Sequence, residues 1–224
     1  MDFTGRWYEA SIILTSVRWY CAYPLSCAHV AEMMQERGVK VHRSSINRWV
    51  LHYGPQLEEE FRKYKTPVGC RWRMDETYIK VKGEQKYLYR AVDSEGRTID
   101  FLLTAKRDAK AARRFFQKAI KLHGTPELVN IDGSAANEAG LKSYNRNHET
   151  DIEIRRNKYM NNIVEQDHRG PKRIIRPMMG FKSFRSAQCT IRCIELCHML
   201  RKGQACPEFA AGLTPAEQFY KLAA

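Results

Sequence analysis

Apolar residues in the first 65 or so positions recur at helix-like intervals. Trp7, Ile13, Val17 and Tyr20 predict a first helix that ends at Pro24. Ser26 is placed to cap a second, carrying Val30, Met33 and Met34 on one buried face and broken by Gly38. Ser44 or Ser45 is placed to cap a third, with Ile46, Trp49 and Val50 inward and Gly54-Pro55 as its stop. From Arg71 the pattern turns to strands: 71–81, 87–92 and 98–105 are rich in Val, Ile, Tyr, Thr and Trp. Short turns at Lys82-Gly83 and Ser94-Glu95-Gly96 fit an antiparallel meander. A helix over 108–122 follows, with Ala112, Phe115, Phe116, Ala119 and Ile120 on its apolar side and Gly124 at its end. Leu128 to Ile131 reads as a short buried strand running into Asp132-Gly133. A weakly patterned helix leads to a strand at 151–154, and the chain from about Asn161 is mostly helical, interrupted near Pro177 and Gly180.

Three strands, a helix, a strand, a helix, a strand and a helix is the order of a ribonuclease-H-like α/β domain, a mixed sheet flanked by helices. The two short helices before it, with a glycine turn between them, predict a small all-α helix-turn-helix module whose second helix enters the DNA major groove. On that reading His42, Arg43, Ser44, Ser45, Asn47 and Arg48 supply groove-facing donors; the alternative is a helical hairpin that extends the core. The expected organisation is a helical DNA-binding region over 1–66, a catalytic domain over 67–204 and a carboxy-terminal tail over 205–224.

Charge narrows the partners. Against 25 Asp and Glu stand 38 Lys and Arg, a net charge of +13, which favours a polyanion, nucleic acid before an acidic membrane surface. Asp2, Arg6, Glu9 and Arg18 interrupt the opening apolar stretch, so it does not read as a secretory signal, and no apolar run approaches a membrane span. The expected location is the bacterial cytoplasm, or the nucleoid when bound to DNA. Seven cysteines without framework spacing read as reduced thiols. Cys189, Cys193 and Cys197 recur every fourth residue on one helical face, and small buried apolar residues are the favoured role over a metal site, since no close pair is present.

Three carboxylates carry the candidate chemistry. Asp75 lies inside the first strand pattern, where a carboxylate is disfavoured. Asp132 ends a short apolar strand, where α/β sheets place functional groups. Glu165 lies in the run Asn161 to Arg169, which as a helix would gather Asn161, Asn162, Glu165, His168 and Arg169 on one polar face. Converging, the three would hold hard divalent cations. Two ions about 4 Å apart can activate a water or a 3′-hydroxyl and stabilise the leaving oxygen at phosphorus. Taken singly, each has a plainer reading: a turn at Asp132-Gly133, a solvated Glu165, an Asp75 paired with Arg71 or Arg73.

Further runs carry a resemblance: Arg18-Trp19-Tyr20, Glu36-Arg37-Gly38-Val39, Trp72 to Tyr78, Tyr87 to Asp93, Asn161 to Arg169, Gly180 to Phe184 and Arg201 to Gln204. Together they are similar, through nearly the whole chain, to transposases of the insertion sequence six family, small bacterial mobile elements whose enzymes use a DDE active site. The resemblance implies that Asp75 (not the adjacent Glu76), Asp132 and Glu165 are the catalytic, metal-binding carboxylates, with Mg²⁺ or Mn²⁺ as two ions. It implies that His168, Arg169, Lys172 and Arg173 line the approach to DNA. It also implies binding of terminal inverted repeats and target DNA, replicative transposition through cointegrates, and a homodimer or larger assembly.

The chain departs from the family pattern in places. Gly133 to Asn137 lacks a tyrosine expected shortly after the second Asp, Gly170-Pro171 falls where the helix would continue and should end or kink it, and Cys193 stands where glycine is more usual. Two other readings compete: a catalytically inactive DNA-binding protein derived from a transposase, and another ribonuclease-H-like nuclease.

Overall fold

The computed structural model describes residues 1–5, 7–157 and 159–224, which gather into two compact units. One comprises residues 67–169; the other joins residues 1–66 to 170–224.

The 67–169 unit is built on a five-stranded sheet among the described residues: β1 (Arg71–Val81), β2 (Glu84–Asp93), β3 (Thr98–Thr104), β4 (Leu128–Ile131) and β5 (Glu153–Arg156), in the order β3-β2-β1-β4-β5. β1, β2 and β3 pair antiparallel; β4 and β5 add in parallel on the far side of β1. The β1–β2 hairpin turns on Lys82 (φ 52°) and Gly83 (φ 82°), two left-handed residues as a two-residue turn matched to strand twist requires. Trp72 and Met74 alternate inward on β1 and meet Tyr89, Ala91 and Ile99 of the neighbouring strands. The other half of this core is Ala112, Phe115, Phe116 and Ala119 of α4 (Ala109–His123) with Leu141 and Tyr144 of α5 (Ala135–His148). Asp108 and Ser134 cap these helices by accepting from Ala111 and Asn137 backbone N–H groups. Gly140 is required where α4 and α5 cross, because a Cβ there would stand 2.7 Å from the Ala112 Cβ. This mixed sheet flanked by helices is the expected ribonuclease-H-like α/β architecture.

The helical unit opens with α1 (Ala10–Ala22), α2 (Cys27–Gln35) and α3 (Arg43–Phe61). Ser26 caps α2 as expected, and His29 completes the box. At α3 the cap is His42, whose Nδ1 accepts from the Ser44 N–H, rather than Ser44 or Ser45. Val30, Met34, Val41 and Ile46 form the small core between α2 and α3. The expected stop at Gly54-Pro55 does not occur: α3 runs through both to Phe61. An interior proline costs about 3 kcal/mol, but Leu57 and Phe61 beyond it are fully buried, about 1.5–3 kcal/mol each. Gly54 suits the spot because α3 lies on α7 (Phe184–Arg201), where a Cβ would come within 2.9 Å of the Cys193 Cβ. Glu58, fully buried on the next turn, is neutralised by Arg62 at 2.5 Å and Arg192 at 2.7 Å.

The helix α6 (Asn162–Ile175) belongs to the sheet unit through Arg169 and to the helical unit from Gly170. It continues through Pro171, so of the expected end or kink the end does not occur. Gly170 is needed because a Cβ would collide with the His198 ring of α7. Cys21, Cys193 and Cys197 are buried. Burial lifts the Cys21 and Cys193 thiols above their ordinary pKa, and a hydrogen bond with Cys193, then burial, lifts Cys197. All three stay protonated and serve as small packing residues. The last twenty residues carry α8 (Pro207–Ala210) and α9 (Pro215–Lys221), whose Phe209 and Phe219 are buried in the helical unit. No helix among the described residues is long and apolar enough to cross a membrane.

Candidate active site

Parallel pairing sets the site. Met74 of β1 lies opposite Ile131, the last residue of β4, so Asp75 and Asp132 come side by side where the β1 edge is uncovered. Ligand oxygens of Asp75, Glu76 and Asp132 all lie within 4.8 Å of one another. The sequence pattern passes over Glu76 in favour of its neighbour. A signal for it exists nonetheless: it shares strand parity with Trp72 and Met74, where an apolar residue would be expected. Its side chain is 2% exposed, and both oxygens are engaged, one by Arg107 Nε and the other by Asn137 Nδ2 at 2.9 Å.

Arg107 reaches on to Asp132, its Nη2 3.7 Å from Oδ2. Burial opposes the Arg107 charge, but the bond and charge of Glu76, then the charge of Asp132, outweigh it and raise its pKa. Asp132 Oδ1 accepts from the Ser134 N–H at 3.0 Å, a turn that the left-handed Gly133 (φ 91°) permits. In the stretch after Asp132 that lacks the expected tyrosine, the fully buried Asn137 holds Glu76. Neither Arg107 nor Asn137 carries a sequence signal of its own.

On the other face of β1, Asp75 meets His168 of α6, Nε2 to Oδ2 3.2 Å, and is not ion-paired with Arg71 or Arg73 among the described residues. The opposite ring nitrogen, Nδ1, lies 3.3 Å from Nη1 of the fully buried Arg90, which bonds Asp167 at 2.7 Å. A guanidinium only donates, so Nδ1 must accept, and the ring proton sits on Nε2 and is donated to Asp75. His168, expected along the approach to DNA, is thus buried as a support for Asp75. The start of α6 is fixed by Asn161, fully buried: its Nδ2 donates to Met74 O at 3.2 Å and its Oδ1 accepts from Asn130 Nδ2 at 2.6 Å.

Glu165 is exposed, one helical turn before His168, and is not among the three carboxylates that meet within 4.8 Å. Arg169, Lys172 and Arg173 are exposed along α6. In the helical unit Arg43, Ser44, Asn47 and Arg48 form an exposed stripe on the first turns of α3, with Ser45 half-buried beside it.

A family model described as a DDE domain matches residues 69–204. The chain is 35% identical over 201 residues to the transposase of the insertion sequence-like element IS431mec of Staphylococcus aureus strain Mu50, covering 89% of this chain and 88% of that protein. This chain belongs to the insertion sequence six family of DDE transposases. A second Staphylococcus aureus relative, the transposase of insertion sequence element IS257 in transposon Tn4003, matches with the same identity and coverage. Among solved structures, the HTLV-2 integrase catalytic core domain in complex with magnesium is similar at a TM-score of 0.40 and 16% identity, covering 70% of this chain and 84% of that chain. The family match spans Asp75, Glu76, Asp132 and Glu165 alike, and it extends past the sheet unit into the helices after Gly170.

Proposed function

We propose that this transposase binds the terminal inverted repeats of its own bacterial insertion sequence and carries out divalent-metal-dependent cleavage and strand transfer, by replicative transposition through cointegrates. The observation that carries the reading is the meeting of Asp75, Glu76 and Asp132 at the open β1 edge. An all-oxygen set of this charge fits Mg²⁺ or Mn²⁺. Asp75 and Asp132, 16% and 28% exposed, are the available ligands, since Glu76 is closed off by Arg107 and Asn137. Glu165, one turn from His168, is the third. Held by these carboxylates, divalent ions would supply the chemistry that activates a water or 3′-hydroxyl and stabilises the leaving oxygen.

The chain's own residues prepare that site. His168 holds one oxygen of Asp75 through its Nε2 proton and is itself held by Arg90. Glu76 anchors Arg107 beside Asp132, where the guanidinium offsets the crowded negative charge. DNA is the partner that suits the net charge of +13 and the exposed cations of α3 and α6. Holding two element ends requires a dimer or larger assembly, acting in the bacterial cytoplasm on the nucleoid.

The test is Mg²⁺-dependent strand transfer from an oligonucleotide carrying the element's terminal repeat, wild type against Glu165→Gln. Joined products from wild type alone are expected. Specific end binding without product from wild type, under conditions that support assembly, would favour the inactive DNA-binding reading.

A further inference from the structure

The exposed stripe of α3 does not stand alone in the helical unit. Three cavities follow it, of about 630, 300 and 530 Å³. The first is walled by Trp7, Tyr8, Trp49 and Tyr53 and shares Arg48 and His52 with the second. The second brings in Ser183, Arg185 and Ser186, at the start of α7; the third shares Ser186 and adds Arg43, Asn47 and Lys182. They therefore form one track between α3 and the 179–186 turn. Among the described residues, no Asp or Glu lines any of the three.

The turn itself is built to present its cations. Met179 (φ 57°) and Gly180 (φ 100°) are both left-handed, Phe181 is buried and pins the loop, and Lys182 and Arg185 are left exposed. Arg43, Arg48, Lys182 and Arg185 form no ion pair with a carboxylate among the described residues. Four uncompensated cations along an acid-free track match the charge of a DNA backbone.

We propose that Lys182 and Arg185, from the carboxy-terminal part of the chain, bind phosphates of the same DNA duplex whose bases are met by the α3 stripe. This rests on the end-binding function proposed above and adds a second, sequence-independent grip to it. The carboxy-terminal helices thereby become part of the DNA-binding module.

The experiment is fluorescence anisotropy with the full chain on two duplexes of equal length, one carrying the terminal repeat and one scrambled, across a salt series. The variants are Lys182→Ala with Arg185→Ala, and separately Arg43→Ala with Arg48→Ala. The first pair should weaken both duplexes alike and make the slope of log K against log salt shallower by about 0.9 for every phosphate no longer neutralised. The second should narrow the preference for the terminal repeat. If the Lys182/Arg185 pair binds both duplexes with unchanged affinity and slope while the Arg43/Arg48 pair is impaired, the phosphate-binding role is refuted and end binding by α3 stands. If neither pair changes binding, the α3 reading falls too. Weakening confined to the terminal repeat would overturn the phosphate assignment in favour of base recognition. A second readout is alkylation of Cys189, half-buried in the middle cavity. Duplex should slow it in the wild type, and an unchanged rate at saturating DNA would count against the track.

Discussion

Arg107→Gln is the perturbation that most directly examines the site, because it keeps an N–H donor at the level of Nε, facing Glu76, and removes the charge together with the Nη group that reaches Asp132. Three carboxylates within 4.8 Å repel one another, by roughly 3.5 kcal/mol for a pair of charges at that separation and an effective dielectric near 20. Arg107 opposes this through Glu76 and, at 3.7 Å, through Asp132. Its side chain is 37% exposed, so solvent screening reduces its net contribution to about 1–2 kcal/mol. At about 2–4 °C per kcal/mol for a chain of this size, the variant should melt about 2–8 °C lower in EDTA. Added Mg²⁺ should then raise its melting temperature more than that of the wild type, since the ion no longer competes with a resident cation. Thermal melts of both proteins over a Mg²⁺ titration read this directly. Equal melting temperatures in EDTA and equal gains with Mg²⁺ would refute the view that these carboxylates form one charged cluster with Arg107 as its counter-ion.

Other expectations follow from the same geometry. Asp75→Ala, Asp132→Ala and Glu165→Ala should each abolish strand transfer and leave end binding largely intact in a gel-shift assay; retained transfer removes that residue from the catalytic set. His168→Ala should lower strand transfer about 10–100-fold, the usual cost of losing a support behind a metal ligand, with partial recovery in His168→Gln; full activity in the alanine variant would remove the positioning role. Gly140→Val forces a side chain against Ala112 at the α4–α5 crossing and should cost about 1–3 kcal/mol in urea unfolding. Asp93 is fully buried. Burial raises its pKa, but N–H groups of Gly69 and Arg97 and the Arg97 side chain outweigh that and hold it below the ordinary carboxylate value. Its stabilisation is therefore complete above about pH 4 and is lost as pH falls through the lowered pKa. Asp93→Asn should be less stable than wild type at pH 7, and the gap should narrow towards pH 3; a gap independent of pH would rule out the charged form as the stabilising one.

The sheet is legible in the sequence because its signals are local. β-branched and aromatic runs, the Lys82-Gly83 turn and the Asp108 and Gly124 boundaries of α4 each sit within a few residues of what they specify. Local preference misleads where distant packing overrides it. Gly54-Pro55 reads as a helix stop, yet burial of Leu57 and Phe61 beyond it carries α3 through. Trp7 fits the period of the first helix but precedes it and is 97% exposed. In the site, Asp75 and Asp132 stand out from their strand context, whereas Glu76 is masked by its neighbour. The roles of Arg107, Asn137 and Arg90 depend on partners tens of residues away, which no spacing in the chain records.

Asn161 also ties the start of α6 to the sheet. Its side chain bridges Met74 on β1 and Asn130 on β4, residues that become neighbours only once the two strands have paired. The seat for the start of α6 therefore exists only where β1 and β4 are paired, and Glu165 lies four residues further along the chain. Loosening of the β1–β4 pairing should therefore release the start of α6 as well, so damage to the sheet reaches a helix that lies far from it in the chain.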